Sequence, residues 1–467
     1  MAGVSSPLRP APAQRSSGLL CSSRFVRGVF AVLACIGAAG TLEAQSVARD
    51  PGVRGGPPGA GGSLPGLSAD EQALFGTGLA AMVRVQSVQG TLPGTDAGLG
   101  PTFNLDGCAG CHSQPAVGGS SPLVNPQVAV ATRAGATNVV PSFVTLQGPV
   151  REARFKYRRG GTRDGGVHAL YTIAGRVDAP GCHLAQPDFE AQLRIGNLSL
   201  RIPTPTFGAG LIEAIPDAAI LTNRSANLVA RRRLGIAGHE NRSGNDGAIT
   251  RFGWKAQNPS LLVFSGEAFN VEQGVTSEMF PQERDQTSGC LFNATPEDGT
   301  RFSGAMPVEA SNVQRVTVFM QFLAPPTPAP DQPAVIRGRA QFAAIGCTLC
   351  HTPTLHTGAT ASPALANQPV NLYSDLLVHR MGPGLADDIP QGNAGGDEFR
   401  TAPLWGVGQR IFFLHDGRTR DLLEAIRAHQ SPGNAQFPAS EANRVIELFE
   451  ALPESQKQDL LDFLRAL

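Results

Sequence analysis

The chain contains Gly107-Cys108-Ala109-Gly110-Cys111-His112 and, much later, Cys347-Thr348-Leu349-Cys350-His351. Two cysteines with two residues between them can each add across one vinyl group of a haem, and the histidine that follows is then placed to bind the iron from below. A zinc or redox Cys-x-x-Cys pair is the alternative reading. It is disfavoured because both copies carry the adjacent histidine, and neither has a second cysteine pair nearby to complete a tetrahedral zinc site.

The 467 residues allow two or three domains. Lys+Arg and Asp+Glu balance at 38 each, so nothing argues for a nucleic-acid partner. With 55 glycines, 37 prolines and only 6% aromatics, much loop should wrap a modest amount of regular structure. A buried porphyrin would supply apolar contact area of its own.

Residues 1–46 read as an export signal. Arg9, Arg15, Arg24 and Arg27 precede the short apolar run Val29–Ile36, and small residues follow at Ala44-Gln45-Ser46. Within that run Val32-Leu33-Ala34-Cys35 looks like a lipoprotein processing site; if it is used, Cys35 becomes a lipid anchor. Residues 47–66 are dense in glycine and proline and read as a spacer with no core to offer. Ser68-Ala69-Asp70-Glu71 then opens a helix carrying Leu74, Phe75, Leu79 and Met82 on one face. From about 118 to 200 short alternating runs, such as Val150–Tyr157 and His168–Ile173, predict a small β-rich insertion, whose charges suit a solvated hairpin. A proline-rich linker at 324–333 separates a first haem domain, 67–323, from a second, 334–467. A terminal helix with Leu460, Leu461, Leu464 and Leu467 on one face closes the chain.

The two motifs belong to an internal repeat. Pro205-Thr206-Phe207-Gly208-Ala209-Gly210 follows the first and Pro403-Leu404-Trp405-Gly406-Val407-Gly408 the second, each preceded by an arginine, Arg201 or Arg400. The expected fold is therefore mainly α: two tandem cytochrome c-like helical domains with a β-rich insertion in the first. Function then rests on each iron's far-side ligand, because an iron with two strong protein ligands moves electrons, whereas one with an open position binds a small oxidant. His168, His183, His239, His356, His379, His415, His429, Met279, Met306, Met320 and Met381 are the candidates. His379 and His415 read as lining the second haem pocket.

Ile411–His429, with Phe413-Leu414-His415-Asp416-Gly417, resembles the aromatic-x-His-Asp-Gly segment and following helix of the bacterial dihaem cytochrome c peroxidases and their methylamine-utilisation relatives. Those peroxidases end that helix on a methionine ligand; here His429 stands there, implying a bis-histidine haem on His351 and His429. Phe103-Asn104, Pro115–Pro122, Gly210–Asp217, Arg251–Ala256 and Leu377–Gly382, in that order around the two motifs, are similar to the di-haem oxidoreductase, putative peroxidase family, sometimes called thiol oxidoreductases. The resemblance implies two covalently bound c-type haems, attached through Cys108, Cys111, Cys347 and Cys350, with His112 and His351 as iron ligands. It also implies a periplasmic location, a small donor protein of cytochrome c or cupredoxin type, and a calcium ion between the domains; no EF-hand loop is visible. In the relatives a tryptophan stands between the haems and a glutamate beside the open iron helps break the O–O bond. Trp254 and Glu272 occupy matching positions, with Glu267 and Glu213 as competitors. Breaking that bond requires one oxygen to lose a proton and the leaving oxygen to gain one, a task one carboxyl group can perform.

The expected activity is reduction of hydrogen peroxide or a similar small oxidant, with the first haem as reaction centre. An electron carrier without turnover and a protein-modifying oxidase of the methylamine-utilisation type are the alternatives. Cys182 and Cys290, left over in an exported chain, are expected to pair as a structural disulfide.

Overall fold

Residues 47–467 apart from Ala305 are described by the structure, a computed structural model. The export signal read over 1–46, with Cys35, lies outside the described residues. The chain is helix-rich with small sheets. No described helix is long and apolar enough to cross a membrane.

Helices α1 (Ala69–Met82), α2 (Leu261–Gln273) and α3 (Asn312–Phe322) form one packed group, and α4 (Pro333–Ala344) and α5 (Glu454–Ala466) form another. The expected capping box opens α1: the Glu71 amide donates to the Ser68 hydroxyl and the Ser68 amide to the Glu71 carboxylate. Glycines set the approach of the helices. A Cβ on Gly78 of α1 would lie 2.5 Å from the Arg315 carbonyl oxygen of α3, and one on Gly338 of α4 would lie 1.9 Å from that of Asp459 in α5. Beside each glycine a phenylalanine pair fills the contact, Phe75 with Phe319 at 5.4 Å and Phe342 with Phe463 at 5.5 Å between ring centroids. Each such pair contributes about 0.5–1.5 kcal/mol beyond its area.

The repeated Gly-x-Gly turns occupy equivalent places against these pairs. Gly208 and Gly406 have φ of 63° and 72°, the left-handed region that glycine enters without a Cβ clash. Two residues on, a Cβ on Gly210 would lie 1.9 Å from the Gln321 oxygen, and one on Gly408 would lie 2.0 Å from that of Arg465. Each turn therefore abuts the last turn of its own group's final helix.

Two sequence expectations change. Residues 47–66 do have a core to join: Ala48 and Leu64 are buried, Asp50 pairs with Arg465 at 2.5 Å, and the Leu64 amide donates to the Phe322 carbonyl. The proline-rich stretch pairs with the same segment, Ala324 with Gly62 and Thr327 with Gly59, so each extended strip satisfies the other's backbone. The core around α1–α3 also takes Leu372, Leu377 and Trp405 from beyond that stretch, and the described residues from 47 onward belong to one compact unit.

The second change concerns the hairpin. Strand β1 (Glu152–Phe155) lies between β2 (Val167–His168) and β3 (Leu198–Arg201), antiparallel to both, with Glu152 opposite Arg201. Its charged alternation suggested a solvated surface, yet Arg154 is only 6% exposed. The charges compensate one another inside the protein, Arg154 Nε reaching Glu152 Oε1 at 2.5 Å. Cys182 and Cys290 form the expected disulfide, with 5.1 Å between their Cα atoms, in the core that also holds Cys111.

Candidate functional site

Cys108–Cys111 is one turn of helix and Cys347–Leu349 one tighter turn, so the cysteines of each motif fall on a common face with the histidine just after. Each motif lines its own cavity. The four thiols are unpaired. Burial pushes those of Cys108 and Cys347 up to about 12, so both are protonated thiols at neutral pH. Among the described residues no group of three His, Cys, Asp or Glu side chains is arranged to hold a metal ion.

The second cavity, about 1340 Å³ with its open mouth included, is walled by Phe342, Leu385, Phe399, Leu404, Val407, Leu414 and Leu464. His351 and His429 both face it. His351 Nδ1 lies 3.0 Å from the Tyr373 carbonyl and His429 Nδ1 2.8 Å from that of Ala425, contacts that fix each ring with Nε2 free for a metal. Burial holds both imidazoles below their usual range, His351 at about 4, with His429 as its next cause. Neutral imidazole is the ligating form. His379 also lines this cavity, but Asp375 and Glu441 occupy its two nitrogens at 3.0 and 2.8 Å. Burial works against the charged ring, and Cys350 and Asp375 outweigh it to hold His379 well above its usual value. His415 stacks on Phe399 at 4.3 Å, and burial lowers it to about 4.

The first cavity, about 920 Å³, has a different wall: Arg151, Glu152, Arg154, Arg201, Glu267 and Glu272 line it with His112. His112 Nδ1 lies 3.0 Å from the Gly119 carbonyl, again leaving Nε2 free. No second histidine and no methionine is among its lining residues. Glu272, on the last turn of α2, is held by Asn104 at 3.1 Å. Burial, and then the neighbouring Glu152 carboxylate, push it up to about 8, whereas Arg154 helps keep Glu152 below its usual value despite burial. The pair is thus a proton-holding acid beside an ionised one. Glu267 faces the same cavity with its carboxylate bonded by Asn258, whereas Glu213 accepts from the Leu261 amide at 2.8 Å, outside that cavity.

Trp254 lines both cavities. It is 9% exposed, its indole N–H donates to the Ile202 carbonyl at 2.9 Å, and its ring meets His415 edge-on at 6.4 Å. Of the other ligand candidates only Met381 lines a cavity, the second; Met320 is in the α1–α3 core, Met279 and Met306 are exposed, His168 stacks on Phe155, His183 and His356 are exposed, and His239 is bonded to Glu398.

The family model described as "Di-haem oxidoreductase, putative peroxidase" matches residues 176–467. The chain belongs to the di-haem oxidoreductase family. The matched residues include Cys347–His351, Trp254, Glu272 and His429 and begin after the first motif. A search of the curated proteins finds no match. Among solved structures, the diheme peroxidase BthA from Burkholderia thailandensis E264 aligns at 18% identity over 33% of this chain and 50% of that one, with a TM-score of 0.24. The chain thus spans about half of that relative's length. Hydrazine synthase from Kuenenia stuttgartiensis aligns at 18% identity over 33% and 55% of the two chains, TM-score 0.21. A MauG-like protein associated with microbial copper homeostasis aligns at 17% identity over 57% and 90%, TM-score 0.29.

The residues present fit two haems. Beyond the thiols and free imidazole nitrogens, single buried guanidinium nitrogens lack partners: Arg400 has an unpaired buried Nη1 at the second cavity and Arg151 an unpaired buried Nε at the first. Arg410 faces the second cavity as well, and burial lowers Arg400 and Arg410 to about 10. Such groups suit the carboxylates that a haem carries on its edge. Sequence reading missed Glu152 and Arg410 as site residues. The register of Glu152 with Arg201 would have flagged the first, had the pairing been known.

Proposed function

We propose that this chain is an exported dihaem c-type oxidoreductase that reduces hydrogen peroxide, or a similar small oxidant, with electrons from a small donor protein. The unequal histidine content of the two cavities carries the reading. The first offers only His112, so a haem held there would keep a position for a small oxidant, and the second offers His351 and His429. Cys108 and Cys111 would hold one haem covalently, and Cys347 and Cys350 the other. The arginine-rich start and short apolar run before residue 47 support export to the periplasm, where such attachment takes place, with Cys35 as the lipid anchor if its processing site is used.

Haem iron supplies single-electron transfer and a binding position for a small oxidant. The chain's own residues handle the protons. Reduction of hydrogen peroxide to two waters consumes two electrons and two protons. Glu272, once ionised, takes the proton from one oxygen and returns it to the leaving oxygen, and Asn104 fixes the carboxyl while it does so. Glu152, tied to Arg154, stays ionised and keeps the Glu272 proton available. Trp254 is the side chain common to both cavity walls and so offers a route for charge between them.

The test is peroxide turnover in Glu272→Gln at unchanged haem content. Loss of turnover is expected, and full activity would refute the role. Two low-spin haems in the half-reduced protein with no peroxide consumption would make the chain an electron carrier instead. A long-lived oxidised state with poor turnover of small donors would make it a protein-modifying oxidase.

A further inference from the structure

Lys255, next to Trp254, is fully buried, and its ammonium sits in a cage of oxygens. It donates to the Gly395 carbonyl at 2.7 Å, to the Glu398 carbonyl at 2.8 Å and meets Asp387 Oδ1 at 3.0 Å. An ammonium has three donors, and all three are used. The ring of Phe399 covers the remaining side, with its centroid 4.0 Å from Nζ.

This cage joins the two cavities. Asp387 Oδ2 accepts from Arg201 at 2.6 Å, and Arg201 lines the first cavity. Phe399 lines the second, where it stacks on His415. The segment carrying Lys255 is held by two further bonds, the Arg400 amide to the Trp254 carbonyl at 2.8 Å and Asn241 to the Lys255 carbonyl at 2.9 Å. Two carbonyls and a carboxylate form a donor set suited to a hard cation such as calcium. Here the cation is part of the chain.

We propose that the Lys255 ammonium is the cation that organises the wall between the two cavities and holds Trp254 in place, in the role that the peroxidase resemblance assigned to a calcium ion. A bound metal ion at this wall would have to displace an ammonium whose every proton is already accepted. Lys255 is a positioning residue: it touches neither cavity's reacting centre and acts through Trp254, Phe399 and Arg201. The proposal stands whether or not the oxidant is peroxide.

The experiment uses the haem-loaded protein and needs no turnover. Melting temperature and the midpoint potentials of the two haems are measured after EGTA treatment and again after adding calcium chloride. Neither is expected to move, and a calcium-dependent shift in either would overturn the proposal. The same titration on Lys255→Met, at full haem content, should show a changed separation between the two midpoints. Wild-type midpoints in that variant would equally overturn it. Should Lys255→Met fail to accumulate, the chelation experiment on the natural sequence decides alone.

Discussion

The two cavities share a Cys-x-x-Cys-His motif and, Trp254 apart, have different walls. The second is apolar, with His351 and His429 both turned into it and the arginines Arg400 and Arg410 on its wall. The first is polar, with one histidine and an acid–base wall of Glu152, Arg154, Glu267 and Glu272. A carboxyl beside a haem centre is useful only if it can hold and release a proton, and burial beside Glu152 sets Glu272 up for that. An electron-transfer site gains nothing from such a group and more from a dry wall and two fixed imidazoles. On the proposed function, division of labour lies in the walls, while the motifs themselves are alike.

The largest effect should come from the acid side. Glu272→Gln is expected to lower peroxide kcat by about 10²–10⁴, the usual contribution of a positioned acid–base group, with both haems still present in a haemochrome assay. His429→Ala should leave the second haem without its far-side ligand, converting it from low spin to high spin. His429→Met should raise its potential by on the order of 0.1 V, within the ~0.8 V that axial ligands span, and an unchanged second-haem potential in potentiometry would remove His429 as its ligand.

Away from both cavities, Cys290→Ser should cost about 2–5 kcal/mol in a denaturant titration, since the bridge closes a long loop, while both haem spectra stay as they are. The smallest effect is a shift in pH. Glu272 must lose its proton to act as a base, so kcat/KM should fall as pH drops through about 8. Glu152→Gln removes the charge that repels ionisation of Glu272, so the same limb should move to lower pH. A limb that stays put would separate Glu152 from the proton chemistry.

Much of the repeat was legible in the residues. The capped α1, the paired Gly-x-Gly turns and the terminal helix are local patterns, and their geometry follows from caps, glycine conformation and helical spacing. The helix glycines that bring α1 to α3 and α4 to α5 were less visible, since a glycine in a helix announces a close approach without naming the partner. The hairpin misled for a related reason. Alternation along Val150–Tyr157 shows which side chains share a face, but it does not show that Glu152 and Arg154 pair with each other at a cavity that α2 also lines. Residues 47–66 read as a spacer because they are dense in glycine and proline, yet an extended strip needs only a few anchors, such as Asp50 on Arg465, to be held down.

By itself the sequence determined the spacing of the two Cys-x-x-Cys-His units, because two cysteines and a histidine within one turn of chain stay together however the rest folds. The family resemblance also marked His429, just past the helix that follows His415. Only the tertiary structure decided that Trp254 serves both cavities, that Glu152 and Glu272 share one, and that Lys255 and Asp387 close the wall between them. Those residues come from segments far apart in the chain, and packing alone brings buried charges to the partners that make their burial possible.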